Sequence, residues 1–225
     1  LNTPFPTVKK DYSPVSDCKG IRNVIDNTDS GYISPENVQM LLDCSEIPRI
    51  SEFVVKKEDQ AVEMANKAGY PVVMKVVGPI HKSDVGGVRL NINNESEASE
   101  NFREIMKIKN ATGVLIQPMI KGIELFAGAK YEDKFGHLIL CGLGGIFIEV
   151  LKDVSKGHAP LTMDESLQMI RSLKSYKIIE GVRGNKGIDE QKFARIITNL
   201  SGLVKAAPEI KELDLNPLIG NEDQI

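Results

Sequence analysis

The stretch from Glu124 to Cys141 limits the possible folds more than any other part of this sequence. Glu124 to Tyr131 and His137 to Cys141 are two runs rich in apolar residues. Between them lies a polar turn segment, Glu132-Asp133-Lys134-Phe135-Gly136. Runs spaced this way read as a hairpin, and a hairpin requires antiparallel pairing. Helical patterns are mixed among the other strands, so the chain belongs to the α+β class or to a mixed α/β arrangement.

The helices announce themselves by their ends. Ser34-Pro35 predicts an N-cap with proline at the first helical position, followed by Val38, Leu41 and Leu42 at helical spacing. Glu58 to Ala68 is a helix with Ala61, Val62, Ala65 and Ala68 on one side, closed by Gly69 with Pro71 just beyond. Asn94-x-x-Glu97 and Thr162-x-x-Glu165 predict capping boxes. Asp189 to Ala206 is a long helix. The expected strands are Phe53–Val55, Val72–Val77, a run from Gly113 that ends near Pro118, and a last one from Ile210 to Leu215. Leu1 to Ser30 is rich in Pro, Asp, Asn and Ser, and reads as a linker or the end of a preceding domain, with a short helix at Ile21 to Ile25. A start at Leu1 and not Met points to a piece of a longer polypeptide.

Composition removes several functions. The 28 basic and 31 acidic side chains leave a net charge of −3, which argues against a nucleic-acid partner. The longest apolar stretch, His137 to Leu151, is interrupted by three glycines and Glu149, too short and too polar to span a bilayer. Cys18, Cys44 and Cys141 are odd in number and far apart, which fits a reducing cytoplasm and neither a disulfide framework nor a zinc site.

Four segments carry the chemistry. Lys75 stands in the apolar strand Val-Val-Met-Lys-Val-Val, where its charge needs a partner. It is either a strand lysine that snorkels or pairs with a carboxylate, or an ammonium aimed at a phosphate. His81-Lys-Ser-Asp-Val-Gly-Gly-Val88 combines an imidazole with two glycines, Gly86 and Gly87, that let N–H groups turn toward an anion. The cluster Gly142-Leu-Gly144-Gly145 follows a strand, but its spacing matches neither a Rossmann fingerprint nor a P-loop, and by itself it marks no more than a tight bend. In Glu212-Leu-Asp214-Leu-Asn216-Pro217, period two puts Asp214 and Asn216 on one face of a strand and Leu213 and Leu215 on the other. Two oxygen donors side by side suit Mg2+, although the same pattern describes a solvated strand face.

In this order the four segments resemble the ATP-grasp domain of the NDP-forming acyl-CoA synthetases. The resemblance rests on Gly69-Tyr-Pro-Val-Val-Met-Lys75, His81 to Val88, Gly142 to Ser155, Ala159-Pro-Leu161 and Glu212 to Leu218. It implies an ATP-grasp fold, two α/β lobes with the nucleotide between them, over residues 31–225, the small lobe covering about 50–117. It further implies ATP or ADP and Mg2+ as cofactors. The implied partners are CoA-binding and ligase domains, in the same polypeptide or in a separate α subunit, and the implied location is the cytoplasm.

Residue by residue, the resemblance makes Lys75 a phosphate ligand and His81 the mobile phosphohistidine. Gly86, Gly87, Gly144 and Gly145 are nucleotide-side loop residues. Gln117, Pro118 and Met119 mark the hinge whose main chain meets adenine, and Glu124 is the acid beside it. Asp214 and Asn216 are the Mg2+ ligands, with Asp214 also holding the tautomer of His81. Three departures stand out: Pro118 replaces a frequent acid, Lys156-Gly157-His158 replaces a stretch that often carries Arg, and the sequence stops at Ile225 before a further acidic residue of the pattern. The implied reaction is acyl-CoA + ADP + phosphate ⇌ carboxylate + ATP + CoA. Its rivals are a non-catalytic ATP-grasp module regulating a fused acetyltransferase, a carboxylate–amine ligase, and a plain interaction module.

Overall fold

The computed structural model describes residues 17–78, 86–145, 152–182, 186–223 and 225. The segment around His81, the stretch 146–151 after the glycine cluster and the linker reading of residues 1–16 lie outside them. The described residues form two compact units: one from the stretches Leu1–Pro48 and Lys121–Ile225, the other from Arg49–Ile120.

The Arg49–Ile120 unit contains β1 (Phe53–Val55), α3 (Glu58–Ala68), β2 (Val72–Val77), β3 (Val88–Ile92), α4 (Glu95–Met106) and β4 (Gly113–Pro118). Its sheet has the order β1-β4-β2-β3, antiparallel throughout. Helices α3 and α4 cover one face. Ala61, Ala65, Ala98, Phe102 and Ile105 from the helices meet Val72, Met74, Val76, Val114 and Ile116 from the strands. The capping signals form here. Asn94 accepts the Glu97 N–H at 3.0 Å, while the Glu97 carboxylate reaches the N–H of Asn93, one residue beyond the position a capping box requires. Gly69 ends α3 at φ 83°, a backbone state that favours glycine.

The other unit contains α1 (Cys18–Asp26), α2 (Pro35–Cys44), β5 (Ile123–Glu132), β6 (Gly136–Leu143), β7 (Val154–His158), α5 (Met163–Arg171), α6 (Tyr176–Glu180), α7 (Glu190–Ala206) and β8 (Glu212–Gly220). Its antiparallel sheet runs β7-β6-β5-β8, with the expected hairpin β5–β6 at its centre. One face, through Leu125, Ala127, Ala129, Ile139 and Cys141, packs on Phe193, Ile196, Ile197 and Leu200 of α7 and on Ile170 of α5. Thr162 and Glu165 form a complete capping box at the start of α5.

Two expectations need correction. Residues 18–26 are not linker: they form α1, whose Ile21 and Val24 lie in the core of this unit. Arg22 fixes the helix to the other end of the sequence through Glu209 (2.8 Å) and the carbonyl of Ala206 (3.3 Å). The last strand also does not stop at Leu215; it continues to Gly220 through Pro217. Among the described strands β8 is an edge, where a residue without an N–H is tolerated. A bulge accompanies it, because Leu215 pairs with Ala127 and Leu218 with Leu125, so two residues oppose one. The extra residue switches parity, and the core-facing side chains change from Leu213 and Leu215 to Leu218.

Candidate functional site

In the Arg49–Ile120 unit, the candidate residues gather on the sheet face away from α3 and α4. Lys75 is half-buried on β2, with Leu115 opposite on β4 and Val88 opposite on β3. Val73, two residues earlier, is in register with Gln117. Lys75 and Gln117 are therefore diagonal neighbours on one face, and the Lys75 ammonium donates to Gln117 Oε1 at 3.2 Å. Gly86, at φ 62°, and Gly87 lead into β3; the Gly87 carbonyl accepts the Val76 N–H at 2.7 Å, and the Arg89 guanidinium donates to the Gly86 carbonyl.

The hinge main chain is partly engaged within the same unit. The Met119 N–H donates to the Pro71 carbonyl at 2.9 Å, and Met119 Sδ accepts from the Asn91 N–H at 3.3 Å. Main-chain groups alternate direction along an antiparallel strand. The Pro118 carbonyl therefore points away from β2.

In the other unit, the candidates share the sheet face away from the helical core. Glu124 is exposed at the start of β5, and its carbonyl accepts the Gly144 N–H at 2.7 Å. A Cβ on Gly144 would lie 2.9 Å from the Leu125 carbonyl oxygen. Gly145, at φ 58°, has the Glu124 carboxylate where a side chain of its own would go. The two glycines thus wrap the chain closely around Glu124.

Asp214 and Asn216 are both exposed on β8, with half-buried Leu213 and Leu215 between and before them on the core side. Partial desolvation by the surrounding sheet, although the residue is largely exposed, pushes the Asp214 carboxyl above the ordinary aspartate range, partly offset by Asn216 and reinforced by Glu212. Gly128 is the register partner of Asp214, and a Cβ there would sit 3.1 Å from the Leu213 carbonyl and 3.7 Å from Asp214 Oδ1. Gly128 was missed in the sequence, although a glycine inside a strand signals close approach. Asp153 was missed too; it receives the N–H groups of Lys174 (3.1 Å) and Ser175 (2.7 Å).

The structure thus brings together Lys75 with Gln117, Glu124 with Gly144 and Gly145, and Asp214 with Asn216. His81 lies outside the described residues. Among those residues no group of three or more His, Cys, Asp or Glu side chains is placed to hold a metal. One carboxylate and one amide, both hard oxygen donors, fit a cation that completes its shell with water and phosphate oxygens, as Mg2+ does. Among the described residues no helix is long and apolar enough to cross a membrane.

Comparison with known proteins shows the family. The family model of the ATP-grasp domain matches residues 25–225. The β subunit of ADP-forming acetate–CoA ligase I from Pyrococcus furiosus is 45% identical over 187 residues, covering 77% of this chain and 80% of that one. The ADP-forming 4-hydroxybutyrate–CoA ligase of Nitrosopumilus maritimus is 45% identical over 196 residues, 82% of this chain but 28% of that longer protein. A solved structure of Ca. Korarchaeum cryptofilum acetyl-coenzyme A synthetase 1 with coenzyme A and Mg-AMPPCP, its phosphohistidine segment pointing towards the nucleotide binding site, superposes with a TM-score of 0.74 at 32% identity, covering 89% of this chain and 93% of that one. The chain belongs to the ATP-grasp domains that form the nucleotide-binding part of the ADP-forming acyl-CoA synthetases.

Proposed function

We propose that this chain carries out the nucleotide half of an ADP-forming acyl-CoA synthetase reaction, transferring a phosphoryl group between His81 and ADP. The observation that carries the reading is the pair Asp214 and Asn216, raised together on the exposed face of β8. The P–N bond of a phosphohistidine protonated on its other ring nitrogen breaks as a terminal oxygen of ADP forms the new P–O bond, and the imidazole leaves neutral, keeping that proton. Such transfers need positioning and charge neutralisation more than covalent work by the protein. The Lys75 ammonium binds and orients the phosphates. Asp214 and Asn216 would hold Mg2+, which when bound neutralises charge on the phosphate oxygens.

The apolar neighbours of Lys75 on its sheet face, Leu115 and Val88, suit a flat purine, with the Pro118 carbonyl as a main-chain acceptor for its amino group. Acyl phosphate formation and CoA binding belong to a partner domain or α subunit, in keeping with relatives of which this chain covers a β subunit or about a quarter. The relatives are ligases and synthetases, which favours a catalytic module over a regulatory one. The test is incubation with γ-phosphate-labelled ATP and Mg2+. Label should appear on His81, labile to acid and removed by ADP. A chain that binds ATP yet never becomes labelled would sink the relay.

A further inference from the structure

Gln117 enters the hinge reading through its main chain, but its side chain is turned to a different task. Its Oε1 accepts a hydrogen bond from the Lys75 ammonium at 3.2 Å across 42 residues of sequence. We infer that Gln117 is a positioning residue, which holds the Lys75 ammonium in the orientation that meets the nucleotide phosphates. The inference rests on the nucleotide reading above and adds to it a residue that decides how well phosphate is bound.

Three physical points carry it. The first is register. Val73 pairs with Gln117, so the amide sits on the diagonal from Lys75, within reach on one face. The second is stiffness. A lysine stem has several rotatable bonds, and an ammonium already held at a fixed point loses less freedom when an anion arrives. The third is charge. An amide oxygen orients the ammonium without cancelling it, whereas a carboxylate of the same shape would compete with phosphate for the same cation. Leu115 and Val88 flank Lys75, and apolar neighbours strengthen both effects. Lys75 has interactions besides this one; the inference concerns what the neutral amide adds.

The experiment compares the wild-type full-length protein with Gln117→Glu, Gln117→Met, Lys75→Met and the double variant Lys75→Met/Gln117→Met. Calorimetric titrations without metal measure the affinity for adenosine and for ADP, with thermal midpoints as the control for folding. Both Gln117 variants should lose much less affinity for adenosine than for ADP. Gln117→Glu should weaken ADP roughly tenfold or more and Gln117→Met roughly threefold. In the Lys75→Met background, Gln117→Met should have no further effect on ADP, because the two residues act as one unit. If Lys75→Met weakens ADP while both Gln117 variants bind it normally, the inference is overturned and the nucleotide reading stands. If adenosine binding falls as much as ADP binding, Gln117 contacts the base and does not aim the lysine. If Lys75→Met leaves ADP affinity unchanged, the phosphate role of Lys75 fails first, and this inference falls with it.

Discussion

A single strand position shows how binding chemistry and stability pull apart. The Asp214 carboxyl titrates above its ordinary value because partial desolvation disfavours the charged form. A folded-state value above the unfolded one favours the fold only where the group is protonated, in acid, and the advantage is lost as pH rises through the folded value. At neutral pH the charged Asp214 therefore does not support the fold. Asp214→Asn should leave the thermal midpoint unchanged or raise it. The same substitution should weaken Mg2+-dependent nucleotide binding about tenfold or more, a loss of about 1.4 kcal/mol. Titrating Mg-ADP into both proteins and recording their melting curves without ligand checks the two halves separately; a variant that melts lower and binds as before would contradict both. Protons also compete with the cation for this carboxylate, so Mg-ADP affinity should begin to fall, as pH is lowered, above the usual aspartate range.

At the level of elements, local signals were legible and long-range ones were not. Ser34-Pro35 and Thr162-x-x-Glu165 sit within one turn of the helices they start, and both caps form. Asp214 and Asn216 share a face because strand period is local. The reach of β8 past Pro217 depends on that strand lying at an edge with a bulge against β5, which no window around Pro217 contains. Lys75 with Gln117 likewise requires the register of strands 42 residues apart in sequence, whereas Glu124 with Gly145 requires the register of the β5–β6 hairpin, which the turn segment alone does not fix. Helix α1 was legible only as a short helix at Ile21 to Ile25 within a linker, because its apolar content is little more than Ile21, Val24 and Ile25 in a polar, proline-bearing segment; its full length and its place in the core were not. Its packing makes a direct test. Ile21 is 0% exposed, so Ile21→Ala should lower the unfolding free energy of its unit by about 2–5 kcal/mol in urea titrations; an unchanged curve would return the segment to linker status. Asp153 offers a second test at this scale. Burial pushes its carboxyl up, but hydrogen bonds from Ser175 and the Lys174 N–H outweigh burial and hold it below the ordinary range. A depressed native value means a contribution present above the unfolded value, about 3.9, and lost as pH falls through the native one. Asp153→Asn should cost about 1 kcal/mol near neutrality, and its difference from wild type should shrink in acid.

Taken whole, the chain divides its candidate residues between its two compact units. Lys75 and Gln117 belong to Arg49–Ile120, and Glu124, Gly144, Gly145, Asp214 and Asn216 to the remainder. A ligand that binds only the folded state adds about 2.7 kcal/mol at a hundred times its dissociation constant. Mg-ATP should therefore raise the melting temperature of the wild type, and Lys75→Met and Asp214→Asn should each reduce that shift. Coenzyme A is the informative comparison. If CoA recognition resides in a partner, CoA alone should not shift the melting temperature of this chain, and adding the partner should restore a CoA-dependent shift. A strong shift with CoA alone would mean that the thioester side of the reaction is shared by this chain, and the division of labour proposed for it would have to be redrawn.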